Sequence, residues 1–391
     1  MYNIVYICLQ QTATMPAVKK IDKIVSKETL DADIKSLCFM VHPAWKEEEF
    51  SYKKLAGGLI NEIYKCSVKS DQTEKDTLIV RIYTSQNISD MVDRNKELFG
   101  MQVAQEAGVA EPLYIMFTNG LVYGYAPGGL GYWGMLWDDK LSRQFMEILT
   151  KFHAVDITKL EMLNKNGELT TLKKKLSIFD NLRQAVKDIP DKFVHFPDRQ
   201  KKMERLFWSK SQLSEEIEKL ENFFAKFDFR VVFSHNDAWV WNVIFDKETE
   251  KISLIDFEFA DFNYEAADLA SLFQCFQLFE QYNQFMPPEL NTTKEELKLP
   301  RTAAHRRKLT KMYLEERCIR QGKKQTDFTE EEFEKFHNQA LMMEIFTLLY
   351  WSTFLMTQFD DPEVPWDCMS FAEISLNKYI SQRDDLFAFK P

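Results

Sequence analysis

A chain of 391 residues is long enough for two lobes with cores of their own, and 45 % apolar with 28 % charged residues is ordinary for a soluble globular protein. A formal net charge of −10 without a basic cluster speaks against a nucleic-acid partner, and no apolar run is long enough for stable membrane insertion. The six cysteines, at 8, 38, 66, 275, 318 and 368, make neither a zinc pattern nor a dense disulfide framework and read as reduced thiols of a cytoplasmic protein.

Residues 1–23 read as an N-terminal extension rather than a secretion signal, because no basic leader precedes their mildly apolar start; Met15 is an alternative start. Residues 24–50 are helical in part. Imperfect alternation over 59–69 and the β-rich run Leu78-Ile79-Val80-Arg81-Ile82-Tyr83 predict two strands. Residues 90–107 predict a helix ended by Gly108, and short strands over 113–117 and 121–125 are separated by the turn pair Asn119-Gly120. This order describes a small mixed lobe over 24–126, closed by an expected interlobe hinge at Ala126-Pro127-Gly128-Gly129.

Residues 127–391 read as a larger, mainly helical lobe. A helix is expected over 141–154, a polar loop over 162–171, and one charged amphipathic helix over 201–227. A strand at 229–233 leads into a loop at 235. Val243-Ile244-Phe245 and Ile252-Ser253-Leu254-Ile255 predict a hairpin, 286–302 a surface excursion, and two late helices lie near 328–358 and 370–382.

The chemistry is concentrated around that loop and hairpin. His235-Asn236-Asp237, with Asn242 five residues after Asp237, and Asp256 nineteen after it, has the order of a kinase catalytic loop followed by a metal-binding aspartate. Asp237 would accept or orient the attacking hydroxyl. Asn242 and Asp256 would hold Mg²⁺, and Glu258, on the same side of an extended chain as Asp256, would take a second ion or order water. Either motif alone is an ordinary turn or strand end; the pair, with a hairpin between, is not. His235 reads as a brace for the loop backbone. Gly57, Gly58 and Asn61 would let the backbone approach phosphate. Arg81 is a charge inside an apolar run, costly unless paired, and a nucleotide phosphate with Glu97 as internal partner would satisfy it. The rival readings are an exposed edge-strand arginine, and Asp93 in place of Glu97.

These residues together make the chain, over roughly 50–385, resemble the choline/ethanolamine kinase family, a branch of the protein-kinase-like fold. Gly57-Gly58-Leu59-Ile60-Asn61 resembles the family's nucleotide loop, and 78–83 its phosphate-contacting strand, with Arg81 in place of a kinase lysine. Val92-Asp93-Arg94 with Glu97, Phe152-His153, the two motifs above, Asn263-Tyr264 with Asp268, and Trp351-Ser352-Thr353-Phe354 continue the match. The resemblance implies an α+β, two-lobed architecture with a small mixed N-lobe and a large mainly helical C-lobe. It implies transfer of the ATP γ-phosphoryl group, with Mg²⁺, to the hydroxyl of a small cationic amino alcohol. Asp268 would brace the catalytic loop. Phe259, Trp351, Phe354 and Phe371 would wall the amine pocket, where aromatic faces attract a quaternary ammonium and tilt the expectation to choline over ethanolamine. The rival reading of 351 and 354 is a core helix face. Dimers occur in the resembled family, so the resemblance allows a homodimer.

Three departures stand out. Cys275 occupies the position of a glutamate that helps hold the cation, Gly124 replaces an acidic residue, and Ala238-Trp239-Val240-Trp241 is bulkier than the family's loop interior. Amine recognition could therefore shift to acids such as Glu280 or to another amino alcohol. The alternatives are a kinase of an aminoglycoside, a sugar or another small molecule, and a noncatalytic binding protein on a kinase scaffold. A protein kinase is disfavoured, since no Asp-Phe-Gly triplet occurs.

Overall fold

The computed structural model describes residues 4–7, 18–55, 61–71, 73–83, 94–285, 293, 295–362, 364 and 366–391. They divide into two units: Met1–Leu130, Ala154–Lys173 and Asn242–Ala260 form one, and Gly131–His153, Lys174–Trp241 and Asp261–Pro391 the other.

The first unit is built on a sheet of β1 (Ile4–Ile7), β2 (Val18–Ile21), β3 (Phe50–Lys54), β4 (Asn61–Val68), β5 (Leu78–Tyr83), β6 (Leu113–Phe117) and β7 (Gly120–Gly124), in the order β1-β2-β6-β7-β5-β4-β3. All neighbours are antiparallel except β2 with β6. Alternation along β5 gives its two faces different tasks. Leu78, Val80 and Ile82 enter a core with Ile34, Leu37 and Cys38 of α1 (Leu30–Val41). Ile79, Arg81 and Tyr83 therefore point to the other face, and β5 is an interior strand, so the edge-strand reading of Arg81 is excluded. The helix expected over 90–107 is α2 (Arg94–Glu106); residues 84–93 lie outside the described ones.

Gly128 and Gly129, expected at a hinge, stand just before the end of a first-unit segment at Leu130, and Gly129 also pairs in a sheet. Gly129-Leu130 is a short strand, β8, that pairs with β12 (Val243–Phe245), and β12 pairs with β13 (Ile252–Leu254) in the predicted hairpin. Gly128 has φ +122, and a Cβ there would lie 2.3 Å from the Phe245 carbonyl oxygen, so only glycine fits that turn. The polar stretch 162–171 is not a plain loop: Met162–Leu163 (β9) and Leu169–Thr170 (β10) pair antiparallel.

The second unit is mainly helical: α3 (Asp139–Ala154, its last residue in the first unit), α4 (Ile178–Asp188), α5 (Pro197–Leu206), α6 (Lys210–Phe224), α7 (Ala267–Gln277), α8 (Phe279–Phe285), α9 (Ala303–Arg320), α10 (Glu330–Met356) and α11 (Cys368–Ala388), with one strand pair, β11 (Val231–Ser234) and β14 (Asp261–Tyr264). The single helix expected over 201–227 is two. Phe207 is extended, and Ser209 caps α6 reciprocally with Gln212, so the local capping box overrides a charge pattern that runs on across the break. Glu216 on α6, buried, accepts from Tyr379 at 2.6 Å and from Arg383 Nη2 at 2.9 Å, fastening α11 to it. The 27-residue α10 starts from a Thr329–Glu332 capping box and packs on α11, α7 and α4. Among the described residues no helix is long and apolar enough to cross a membrane.

Candidate functional site

In the second unit the structure builds a rigid frame under Asp237. Strand β11 ends at Ser234, paired with Asp261. The chain then turns, and the buried Asp268 at the start of α7 accepts the N–H of His235 at 2.9 Å and of Asn236 at 2.7 Å. His153 of α3 brings Nε2 to the same carboxylate at 2.7 Å. Asn236 has φ +66, a left-handed conformation for which asparagine is suited and which costs on the order of 1 kcal/mol or more. It is held by the Asp268 contact and by Asn263 Nδ2, which donates to its side-chain oxygen at 2.8 Å. Asp237 follows immediately and is half-buried. Tyr350 of α10 lies within its field: burial first, then the charges of Asp261 and Asp237, push the Tyr350 hydroxyl up.

Asp268 thus braces the loop, as the resemblance implied. Burial alone would raise its carboxyl, but the His153 hydrogen bond, the charges of His153 and His235, and the His235 N–H outweigh it and hold the group below its ordinary 3.8. A carboxyl lowered on folding stabilises the protein fully above its unfolded value and loses that contribution as the pH falls through the folded value. Asp268→Asn keeps an acceptor oxygen and removes the charge. We expect about 1.5–3 kcal/mol less unfolding free energy at pH 7 and a flatter loss of stability below about pH 4. Urea unfolding at pH 7 and pH 3 measures both, and an unaltered acid limb would remove the carboxylate from this account.

In the first unit the hairpin brings Asn242 and Asp256 to one open end, because Asn242 immediately precedes β12 and its carbonyl accepts the Ile255 N–H at 3.0 Å. Asp256 has φ +65, and Glu258 is two residues on. Opposite stands Arg81. Its Nη1 lies 2.7 Å from Glu97 of α2 and its Nη2 3.8 Å from Glu258. The Asn61 side-chain oxygen, in the orientation that satisfies both ends of the amide, accepts from Arg81 Nε at 3.1 Å and Nη2 at 2.6 Å. Glu97 is fully buried and also holds Arg94 at 2.8 Å, whose guanidinium stacks 3.8 Å over Tyr83. Burial would lower the Arg81 guanidinium, but Glu97 and then Asp256 keep it above its ordinary value. Burial first, and then the Asp256 charge, push the Glu258 carboxyl well up despite Arg81. Burial takes the neighbouring Tyr123 hydroxyl up to about 12. Gly100, one turn beyond Glu97, makes the arrangement fit: a Cβ there would come 2.7 Å from Phe257 Cβ and 2.8 Å from Ala260 Cβ, so α2 lies flat against the segment that carries Asp256 and Glu258.

The aromatic residues divide between the units. Trp351 and Phe354 on α10 meet edge to face at 5.6 Å and are half-buried, while Ser352, Thr353 and Leu355 between and beside them are buried. They are therefore not simply a core helix face. Phe371, on α11, packs on Trp366 at 5.8 Å and is only 4 % exposed, so it offers a ligand little surface. Phe259 is half-buried and belongs to the first unit. Cys275 is buried in α7, and Glu280 is exposed. Gly57 and Gly58 lie outside the described residues. Sequence reasoning placed Arg94 in the resembled helix without a contact of its own, and named neither Tyr313 nor Glu265. Arg94 stood three residues from Glu97, a helical spacing that signals an ion pair; the other two carry no local signal.

The donor chemistry in the first unit suits a hard divalent cation. Asp256, Glu258 and the Asn242 amide offer oxygen, the atom such a cation prefers. Among the described residues no group of three or more His, Cys, Asp or Glu is gathered as a metal cage. An ion here would therefore need oxygens from water and a phosphate ligand, which is how Mg²⁺ is commonly held.

Comparison with known proteins shows the family and the fold. The family model described as choline/ethanolamine kinase matches residues 52–382. A relative from Nematostella vectensis named probable ethanolamine kinase is 24% identical over 356 residues, 90% of this chain and 93% of its own. The solved structure of a Plasmodium vivax ethanolamine kinase superposes with a TM-score of 0.66 at 16% identity, covering 90% of this chain and 89% of that one. A choline kinase from Cryptosporidium parvum superposes with a TM-score of 0.65 at 14% identity, covering 92% and 98%. The fold is the α+β, protein-kinase-like one these enzymes share. With the match spanning most of its length, the chain belongs to the choline/ethanolamine kinase family, whose members are kinases that use ATP.

Proposed function

We propose that this protein transfers the γ-phosphoryl group of ATP to the hydroxyl of ethanolamine, in the cytoplasm, with Mg²⁺. The observation that carries the reading is the buried Arg81–Glu97 pair facing Asp256 and Glu258 at the open end of the hairpin. Such a cluster suits phosphoryl transfer, where positioning and charge do most of the work. Asp237, held by the Asp268 frame, orients the hydroxyl and accepts its proton. The new oxygen–phosphorus bond forms, the bond from γ-phosphorus to the bridging oxygen breaks, and ADP leaves. Mg²⁺, when bound, supplies charge neutralisation at the phosphate oxygens. Asn242 and Asp256 would hold it, and Glu258 would take a second ion or order water. Arg81, kept in place by Glu97, and Gly57, Gly58 and Asn61 serve the nucleotide.

The choice of amine moves from the sequence-based expectation. Aromatic residues alone favour choline; the names of the Nematostella relative and the Plasmodium structure favour ethanolamine. Choline remains the second reading because Trp351 and Phe354 form a half-exposed edge-to-face pair, a surface suited to a methylated cation. A side-by-side assay with ethanolamine, choline and the partly methylated amines tests the choice: the highest kcat/KM is expected with ethanolamine. An aminoglycoside or sugar outperforming all of them would replace the substrate class. Trp351→Ala is expected to raise the amine KM about 5-fold or more, in line with about 1–2 kcal/mol for a desolvated cation–π contact, with the ATP KM little changed. An unchanged amine KM would take the pocket elsewhere.

A further inference from the structure

Asp268 is the end of a longer buried chain of polar groups in the second unit. Its partner His153 turns the other ring nitrogen, Nδ1, to the Tyr313 hydroxyl of α9 at 2.6 Å. That hydroxyl also lies 3.2 Å from Glu265 Oε1, to which it can donate. Glu265 is in turn fixed from two directions, by Arg230 at 2.7 Å and Arg317 at 3.0 Å. Tyr313 is wholly buried and stacked on Phe336 at 5.1 Å, so its hydroxyl cannot swing to solvent. Elements far apart in sequence thus converge on one imidazole.

The geometry decides what this chain does. Asp268 already accepts two backbone N–H groups, so its contact with His153 needs a proton on Nε2. Tyr313 has a single hydroxyl proton and donates it to Glu265, so its oxygen accepts from Nδ1–H, and the ring is fixed by donating at both nitrogens. We propose that Tyr313 and Glu265 are positioning residues for phosphoryl transfer: through His153 they orient the Asp268 carboxylate, which holds the left-handed turn at Asn236 and thereby aims Asp237. This rests on the reading of Asp237 as the residue that takes the hydroxyl proton.

Tyr313→Phe removes one oxygen and keeps the ring stack. In the full-length protein it is expected to lower kcat roughly 10–100-fold, the penalty of a slightly misplaced catalytic group, while the ATP KM stays within about 2-fold of wild type. Glu265→Gln, which keeps an oxygen toward Tyr313, should retain most activity, and Glu265→Leu should behave like Tyr313→Phe. Nitrogen-15 NMR supplies a readout independent of turnover. Among the six histidines, one should carry hydrogen-bonded protons on both ring nitrogens in the wild type, and that signal alone should lose a proton or shift in Tyr313→Phe. Wild-type kcat in Tyr313→Phe alongside an inactive Asp237→Asn would overturn the proposal and leave the catalytic assignment standing. Normal turnover in Asp237→Asn would overturn both. A Tyr313→Phe protein whose loss of activity only tracks a lower folded fraction, with the His153 signal unmoved, would also overturn it.

Discussion

Asp237→Asn is expected to lower kcat by roughly 10²–10⁴-fold, the range for losing a group that takes a proton in the transition state, while ATP binding stays within a few-fold of wild type. The substitution is nearly isosteric, so the frame beneath it survives. The two N–H contacts to Asp268 and the Asn263–Asn236 bond involve neither carboxylate oxygen of Asp237. What is lost is the acceptor that receives the hydroxyl proton as its oxygen attacks phosphorus. Nucleotide affinity measured calorimetrically beside ADP release at saturating amine separates the two effects. Normal turnover would strip Asp237 of its role, and lost ATP binding would make that role one of nucleotide retention.

The second large effect is expected at Asp256. Its φ of +65 makes alanine a poor probe, because alanine would add backbone strain to the loss of a ligand. Asparagine tolerates the left-handed region and keeps one oxygen. Asp256→Asn should lower kcat on the order of 10³-fold, corresponding to several kcal/mol of charge stabilisation, and should raise the Mg²⁺ concentration needed for half-maximal rate. Its neighbour changes with it: Asp256 is the second cause, after burial, that pushes the Glu258 carboxyl up, so that carboxyl should relax downward in the variant. A Mg²⁺ titration of rate in both proteins is decisive. Identical curves would assign the metal to other residues.

Much of this was legible in the chain because the informative signals are local. An arginine in the middle of Leu78-Ile79-Val80-Arg81-Ile82-Tyr83 demands a buried partner, and the structure supplies Glu97 rather than leaving it at an edge. Two apolar triplets around a charged turn gave the hairpin that sets Asn242 beside Ile255. Where reading failed, a local device overrode a longer pattern. Ser209 and Gln212 start a second helix within a stretch that reads as one charged amphipathic helix. Gly128, in what looks like a chain break, turns against Phe245 where a Cβ would collide, and Gly129 pairs with Phe245 as a strand. The Asp268 frame was only half visible. His153 lies 115 residues from Asp268 and 160 from Tyr313, and nothing in the spacing of either pair announces a contact. Such long-range polar chains follow from helix packing, which composition and periodicity do not specify. Burial separates the aromatic residues that the resemblance pointed to: Trp351 and Phe354 keep accessible surface, and Phe371 has little.

The central claim is that this chain moves a phosphoryl group onto an amino alcohol. Phosphorus-31 NMR of purified protein with ATP, Mg²⁺ and ethanolamine tests it most directly. A growing phosphomonoester resonance of phosphoethanolamine, stoichiometric with ADP and absent from the Asp237→Asn sample, is the predicted result. ATP that stays intact, or that yields only inorganic phosphate with every amine supplied, would contradict it.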